Sequence, residues 1–66
     1  MKINDFMKEL EIEIQNAKID ENLLYVLVRI SDQKHISPAM PMKDSVIQWI
    51  KKNTEEIYFK LFYEED

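Results

Sequence analysis

The sequence predicts an α+β fold in one small domain, on three observations: a single β-rich apolar run, flanking segments with helical spacing, and a length with room for one core. The run is Leu23 to Ile30, bounded by Asp20-Glu21-Asn22 and by Ser31-Asp32-Gln33-Lys34, the pattern of a buried strand. It is expected as the central strand of a small antiparallel sheet, packed with an N-terminal and a second helix. Leu23, Tyr25, Leu27 and Arg29 would share one face, and Leu24, Val26, Val28 and Ile30 the other. The uniformly aliphatic second face is the expected core face. At 66 residues without cysteine, the chain lies near the lower size limit for stability without a disulfide or metal. Dimerisation or docking on a partner is therefore expected.

In chain order, Phe6, Met7, Leu10, Ile14 and Ala17 recur at helical spacing behind a possible Asn4 cap, so residues 4–17 read first as an amphipathic helix. A competing reading is a short helix leading into a strand. Leu10-Glu11-Ile12-Glu13-Ile14 alternates, and Asp5/Glu9 and Glu9/Glu13 would be like-charge pairs four apart on a helix. Lys18 to Asn22 reads as a polar connection. After the central strand, Ser31 to Lys34 reads as a turn, and His35-Ile36-Ser37 as a short antiparallel partner. Pro38 and Pro41 are expected to end the sheet, because proline donates nothing to a ladder. A second helix is expected from about Asp44, with Ser45 and Gln48 spaced as a capping box, Val46, Ile47, Trp49 and Ile50 as its apolar content, and Lys51-Lys52 suiting its C-terminal dipole. Residues 57–63, Ile-Tyr-Phe-Lys-Leu-Phe-Tyr, have the aromatic content of a strand, the favoured reading. A helix opened by Asn53 and Glu56 is the alternative. Glu64-Glu65-Asp66 reads as a solvated acidic tail.

Thirteen acids against nine bases give a net charge of -4, which disfavours direct binding to nucleic acid or an anionic membrane. The charge is segregated: residues 1–22 sum to -3, residues 23–52 to +3 and residues 53–66 to -4. No apolar run has the length of a membrane span and the N-terminus lacks the apolar core of a signal peptide, so the expected compartment is the cytoplasm. The absence of glycine removes every glycine-rich phosphate loop. One histidine and no cysteine leave no triad and no thiolate-ligated metal, and His35 reads as an edge-strand side chain. Neither enzymatic activity nor a cofactor or metal is expected.

Two sets of side chains remain as partner-binding candidates. Trp49, Tyr58, Phe59, Phe62 and Tyr63 read first as core packing; the alternative is a partner-facing patch that includes Tyr58, Phe62 and Tyr63, because residues 57–63 are apolar on both faces in either conformation, more than so small a domain can bury. Glu9, Glu11 and Glu13, with Asp5 nearby, read first as a solvated face; the alternative is complementarity to a basic surface on a partner, including one that normally holds nucleic acid.

Met1-Lys2-Ile3-Asn4-Asp5-Phe6 leading to Lys8-Glu9-Leu10, Val26-Leu27-Val28-Arg29-Ile30 running into an acidic turn at Asp32, and Ser45-Val46-Ile47 opening a helix together resemble, in order and spacing, the small acidic phage-encoded type II-A anti-CRISPR proteins. The resemblance implies helices around a small antiparallel sheet, and acidic side chains that occupy the arginine-rich site where an RNA-guided nuclease reads its short duplex motif. Of the family's contact acids, the one after the central strand has its counterpart in Asp32. The acid expected just beyond it is replaced by Lys34-His35, and the later acidic cluster has no aligned match. The expected function is a non-enzymatic inhibitor or adaptor, phage-derived, that binds a host protein through Asp32, Glu9, Glu11, Glu13, Tyr58, Phe62 and Tyr63. The alternative is a structural homodimer or a subunit of a larger assembly.

Overall fold

The computed structural model describes residues 2–64, in the order α1 (Ile3–Leu10), β1 (Ile12–Ile19), β2 (Asn22–Arg29), α2 (Lys43–Lys52) and α3 (Thr54–Phe62). The fold is α+β with a small antiparallel sheet, as expected. The helix over residues 4–17 is a correction: a short helix feeds a strand instead. Ile3, Phe6, Met7 and Leu10 supply one apolar stripe, and Glu11 then turns left-handed at φ 56°, its N–H donating back to the carbonyls of Lys8 and Met7. That reversal ends α1 and releases Ile12 into β1, where the alternation seen in the sequence takes over. Lys2, not Asn4, stands at the N-cap, and no side chain caps α1.

Strands β1 and β2 pair from Ile12 opposite Arg29 to Ile19 opposite Asn22. The hairpin closes through Asp20 and Glu21, at φ 51° and 67°, the positive-φ pair of a type I′ turn. The polar connection is thus only two residues long. The opposite edge of β2 is occupied by residues 34–40. Arg29 N–H donates to Lys34 O at 2.9 Å, Ile36 N–H to Leu27 O at 2.7 Å, and Tyr25 and Met40 exchange bonds of 2.7 and 2.8 Å. Between them the buried Ser37 hydroxyl accepts the Leu27 N–H at 2.9 Å, so a side chain substitutes for a missing carbonyl. His35 pairs with Val28, as expected of a short partner. The pairing continues past Pro38 to Met40, which corrects the expectation that Pro38 ends the sheet: the bond at Met40 uses its own N–H and leaves the prolines out of the ladder.

The core lies on the face of β2 opposite to the one expected. Leu27, with half-buried Tyr25, meets Ile12 and half-buried Ile14 of β1, Phe6 of α1, Val46 and Ile50 of α2, Ile57 of α3, and Ile36. Val26 and Val28 are also buried but stand outside this cluster, beside Gln15 and Glu13 of β1 in register, and Ile30 is exposed. The even-numbered positions were more uniformly aliphatic, yet side chains of α1, α2 and α3 gather in the cluster on the odd-numbered face.

The two C-terminal helices are separated by Asn53. Its N–H donates to Ile50 O and its side-chain amide to Trp49 O at 2.8 Å, while its own carbonyl accepts the Ile57 N–H at 3.0 Å. One residue thus closes α2 and opens α3. The Ser45/Gln48 capping box does not form. Helix α2 starts at Lys43, before Ser45, and its N-cap residue is Met42, without a side-chain bond. Residues 57–63 as a strand is a further correction: Ile57 and Leu61, four apart, face the core from a helix. Among the described residues, no helix is long and apolar enough to cross a membrane.

Candidate protein-binding surface

Helix α3 has one narrow buried ridge. Ile57 is fully buried and Leu61 half-buried, and positions 57 and 61 share a helix face. Everything aromatic in the segment therefore points elsewhere. Tyr58 is 43% exposed, Phe59 53%, Phe62 62% and Tyr63 76%. Tyr58 meets the edge of Phe6 of α1 with ring centroids 5.9 Å apart, and stacks on Phe62 at 6.2 Å. The aromatic face is thus ordered by ring contacts while remaining open to solvent.

Polar ties position this helix. The Lys60 ammonium donates to the Ile36 carbonyl at 3.1 Å, and Lys34 pairs with Glu64 at 2.9 Å, just beyond the helix. Both fasten the aromatic helix to the extended segment at the outer edge of β2. Glu55 and Glu56 lie exposed in the first turn of α3, where acids suit the helix dipole.

Of the residues expected to bind a partner, Tyr58 and Phe62 lie on α3 and Tyr63 caps its C-terminus, so the three are brought together. Glu9, Glu11 and Glu13 follow the α1–β1 junction, all exposed. Glu13 accepts a 2.6 Å bond from the Gln15 amide. Asp32 lies in the turn after β2, at the same end of the hairpin as Glu11, whose carbonyl accepts the Ile30 N–H. Its carboxylate is already engaged: Arg29 donates from Nε at 2.8 Å and from its terminal nitrogen at 2.5 Å, and the Lys34 N–H adds a bond at 3.2 Å. The Arg29 hydrogen bonds hold the Asp32 pKa well below the usual carboxylate value of 3.8, at about 2.

Phe59, outside the three residues named for the site, is exposed beside them and joins this face. The signal was present in the sequence, since a helix that buries 57 and 61 must expose 58, 59, 62 and 63 together. Trp49 is half-buried, on the wall of an open groove with Met40, Ser45 and Gln48. No cluster of three or more His, Cys, Asp or Glu side chains suited to a metal ion occurs among the described residues.

Compared with protein-family models, with curated proteins and with solved structures, the chain matches none.

Proposed function

We propose that this chain is a non-enzymatic binding module, an inhibitor or adaptor that docks on a host protein through the aromatic face of α3. The observation that carries this reading is the exposure of Tyr58, Phe59, Phe62 and Tyr63 on a helix anchored by only Ile57 and Leu61. Aromatic side chains with few rotatable bonds are the residues that dominate protein contacts. Four of them on one short, tied-down helix leave a large apolar area in water, the mark of an interaction site.

The partner surface that fits is basic. Glu55, Glu56 and Glu64 flank the aromatic face in sequence, and Glu9, Glu11 and Glu13 line the α1–β1 junction. A basic nucleic-acid-binding site, such as the duplex-reading site of an RNA-guided nuclease, offers the complementary charge. This specific target follows from the resemblance to the anti-CRISPR proteins. Asp32 contributes to it through its pairing with Arg29, which holds the turn, and only secondarily through a free charge.

The test is retention of a guide-loaded RNA-guided nuclease on the immobilised chain, at low and high salt, with competing target duplex. Salt-sensitive retention that the duplex displaces, and that Phe62→Ala with Tyr63→Ala abolishes, supports the proposal. Failure to retain the nuclease removes that target, and retention unaffected by the aromatic changes removes the α3 face.

A further inference from the structure

The outer edge of β1 is open. Strand β2 spends the N–H groups of Tyr25, Leu27 and Arg29 on residues 34–40, so its alternate residues Val26 and Val28 face Gln15 and Glu13 of β1. In an antiparallel ladder the remaining positions of β1 then aim their N–H and C=O groups away from β2. These are Ile12, Ile14, Asn16 and Lys18. Ile12 is buried, but Ile14 is half-buried and Asn16 and Lys18 are exposed. Among the described residues, no backbone group outside β2 pairs with the edge formed by Ile14, Asn16 and Lys18.

We propose that this edge pairs with the same edge of a second copy of the chain, antiparallel and centred on Asn16, to join two sheets into one. The sequence of the edge is what selects a second copy. A two-fold axis perpendicular to the sheet at Asn16 sets Ile14 of one copy opposite Lys18 of the other, Asn16 opposite Asn16, Gln15 opposite Ala17 and Glu13 opposite Ile19. No like charges face each other in this register. The two Asn16 amides meet on the axis, each with donors and an acceptor to exchange. The aliphatic stem of Lys18 lies over Ile14. About six backbone hydrogen bonds form at once, satisfying the three outward positions on each copy. The edge carries no proline and no bulge, and its one charged outward position, Lys18, faces the apolar Ile14 rather than another charge in this register. This surface is separate from the aromatic face of α3, so a dimer would present two such faces to a partner.

Sedimentation of the full chain from micromolar to millimolar concentration tests the proposal. A reversible monomer–dimer equilibrium is expected. Asn16→Asp places two carboxylates on the axis and should weaken the dimer about fivefold at neutral pH, with recovery on acidification. Asn16→Pro removes an outward donor without touching the β1–β2 ladder and should leave a folded monomer. Asn16→Cys, in a chain with no other thiol, should form a disulfide-linked dimer under mild oxidation, whereas Glu55→Cys on α3 should not. A wild-type chain that stays monomeric throughout overturns the proposal. So does a dimer indifferent to Asn16→Asp and Asn16→Cys but lost with Phe62→Ala and Tyr63→Ala, which would assign self-association to the aromatic face.

Discussion

Glu11, Asp20, Glu21 and Gln33 all stand at positive φ, between 51° and 67°, in a chain with no glycine. A left-handed conformation costs a residue with a β-carbon about 1 kcal/mol or more, and aspartate somewhat less. Each such residue sits where the chain reverses: at the end of α1, in the hairpin and in the turn after β2. Glu21→Gly should therefore raise stability to urea by about 1 kcal/mol, net of the added freedom of the unfolded chain. A loss of stability would show that the Glu21 side chain makes a compensating contact. These turns were hard to read because the usual Asn-Gly or Asp-Gly signature is absent, although Ile19-Asp20-Glu21-Asn22 falls where an alternating pattern must reverse. Asp32 makes a second residue-scale prediction. Its pKa in the folded chain, about 2, lies below the ordinary 3.8, so its contribution to stability is present above that ordinary value and is lost as pH falls toward 2. Carboxyl chemical shifts followed by NMR should place the Asp32 midpoint at about 2, below the ordinary 3.8. In Asp32→Asn the stability profile should flatten between those two pH values.

At the scale of the elements, the central strand was legible because β2 is buried at Val26, Leu27 and Val28 and half-buried at Leu24, Tyr25 and Arg29, and a continuous run of Leu, Val and Tyr has few other homes. Its core face was misjudged for a physical reason: both faces become covered, and the helices' position decides which one joins the main cluster. Helix α3 was misread because Ile, Tyr and Phe favour strands in isolation, whereas the Ile57/Leu61 spacing and the start at Asn53 act only when the core is assembled. Two substitutions separate its roles. Ile57→Ala should destabilise the fold by about 2–5 kcal/mol by opening a cavity, while Phe62→Ala should change stability by less than about 1 kcal/mol. Equal losses by thermal denaturation would mean that Phe62 supports the fold. The third segment of the sheet has its own weak point. Ser37→Ala strands the buried Leu27 N–H, whose partner is the Ser37 hydroxyl, and should cost about 1–3 kcal/mol. Rapid amide exchange at Leu27 would be its signature, and unchanged protection there would exclude the bond.

For the molecule as a whole, one small core of seven buried residues holds three helices against one hairpin among the described residues, and Tyr58, Phe59, Phe62 and Tyr63 are left on the surface. The basic middle and the acidic C-terminal segment meet in the fold where Lys34 pairs with Glu64, and Lys60 of the C-terminal segment donates to the Ile36 carbonyl, so that both ties hold α3 to the sheet edge. Charge segregation was visible in the sequence, but the pairing of Lys34 with Glu64 was not, because it depends on where α3 ends. The same holds for the binding face, whose aromatic residues could be named from the sequence although the helix that gathers them could not. The most direct measurement is a calorimetric titration of the chain onto a guide-loaded RNA-guided nuclease, repeated with the Phe62→Ala, Tyr63→Ala variant. Saturable binding that competing duplex displaces, and that weakens by more than about tenfold in a variant of unchanged fold, is the predicted result. No binding, or equal binding by both proteins, would contradict it.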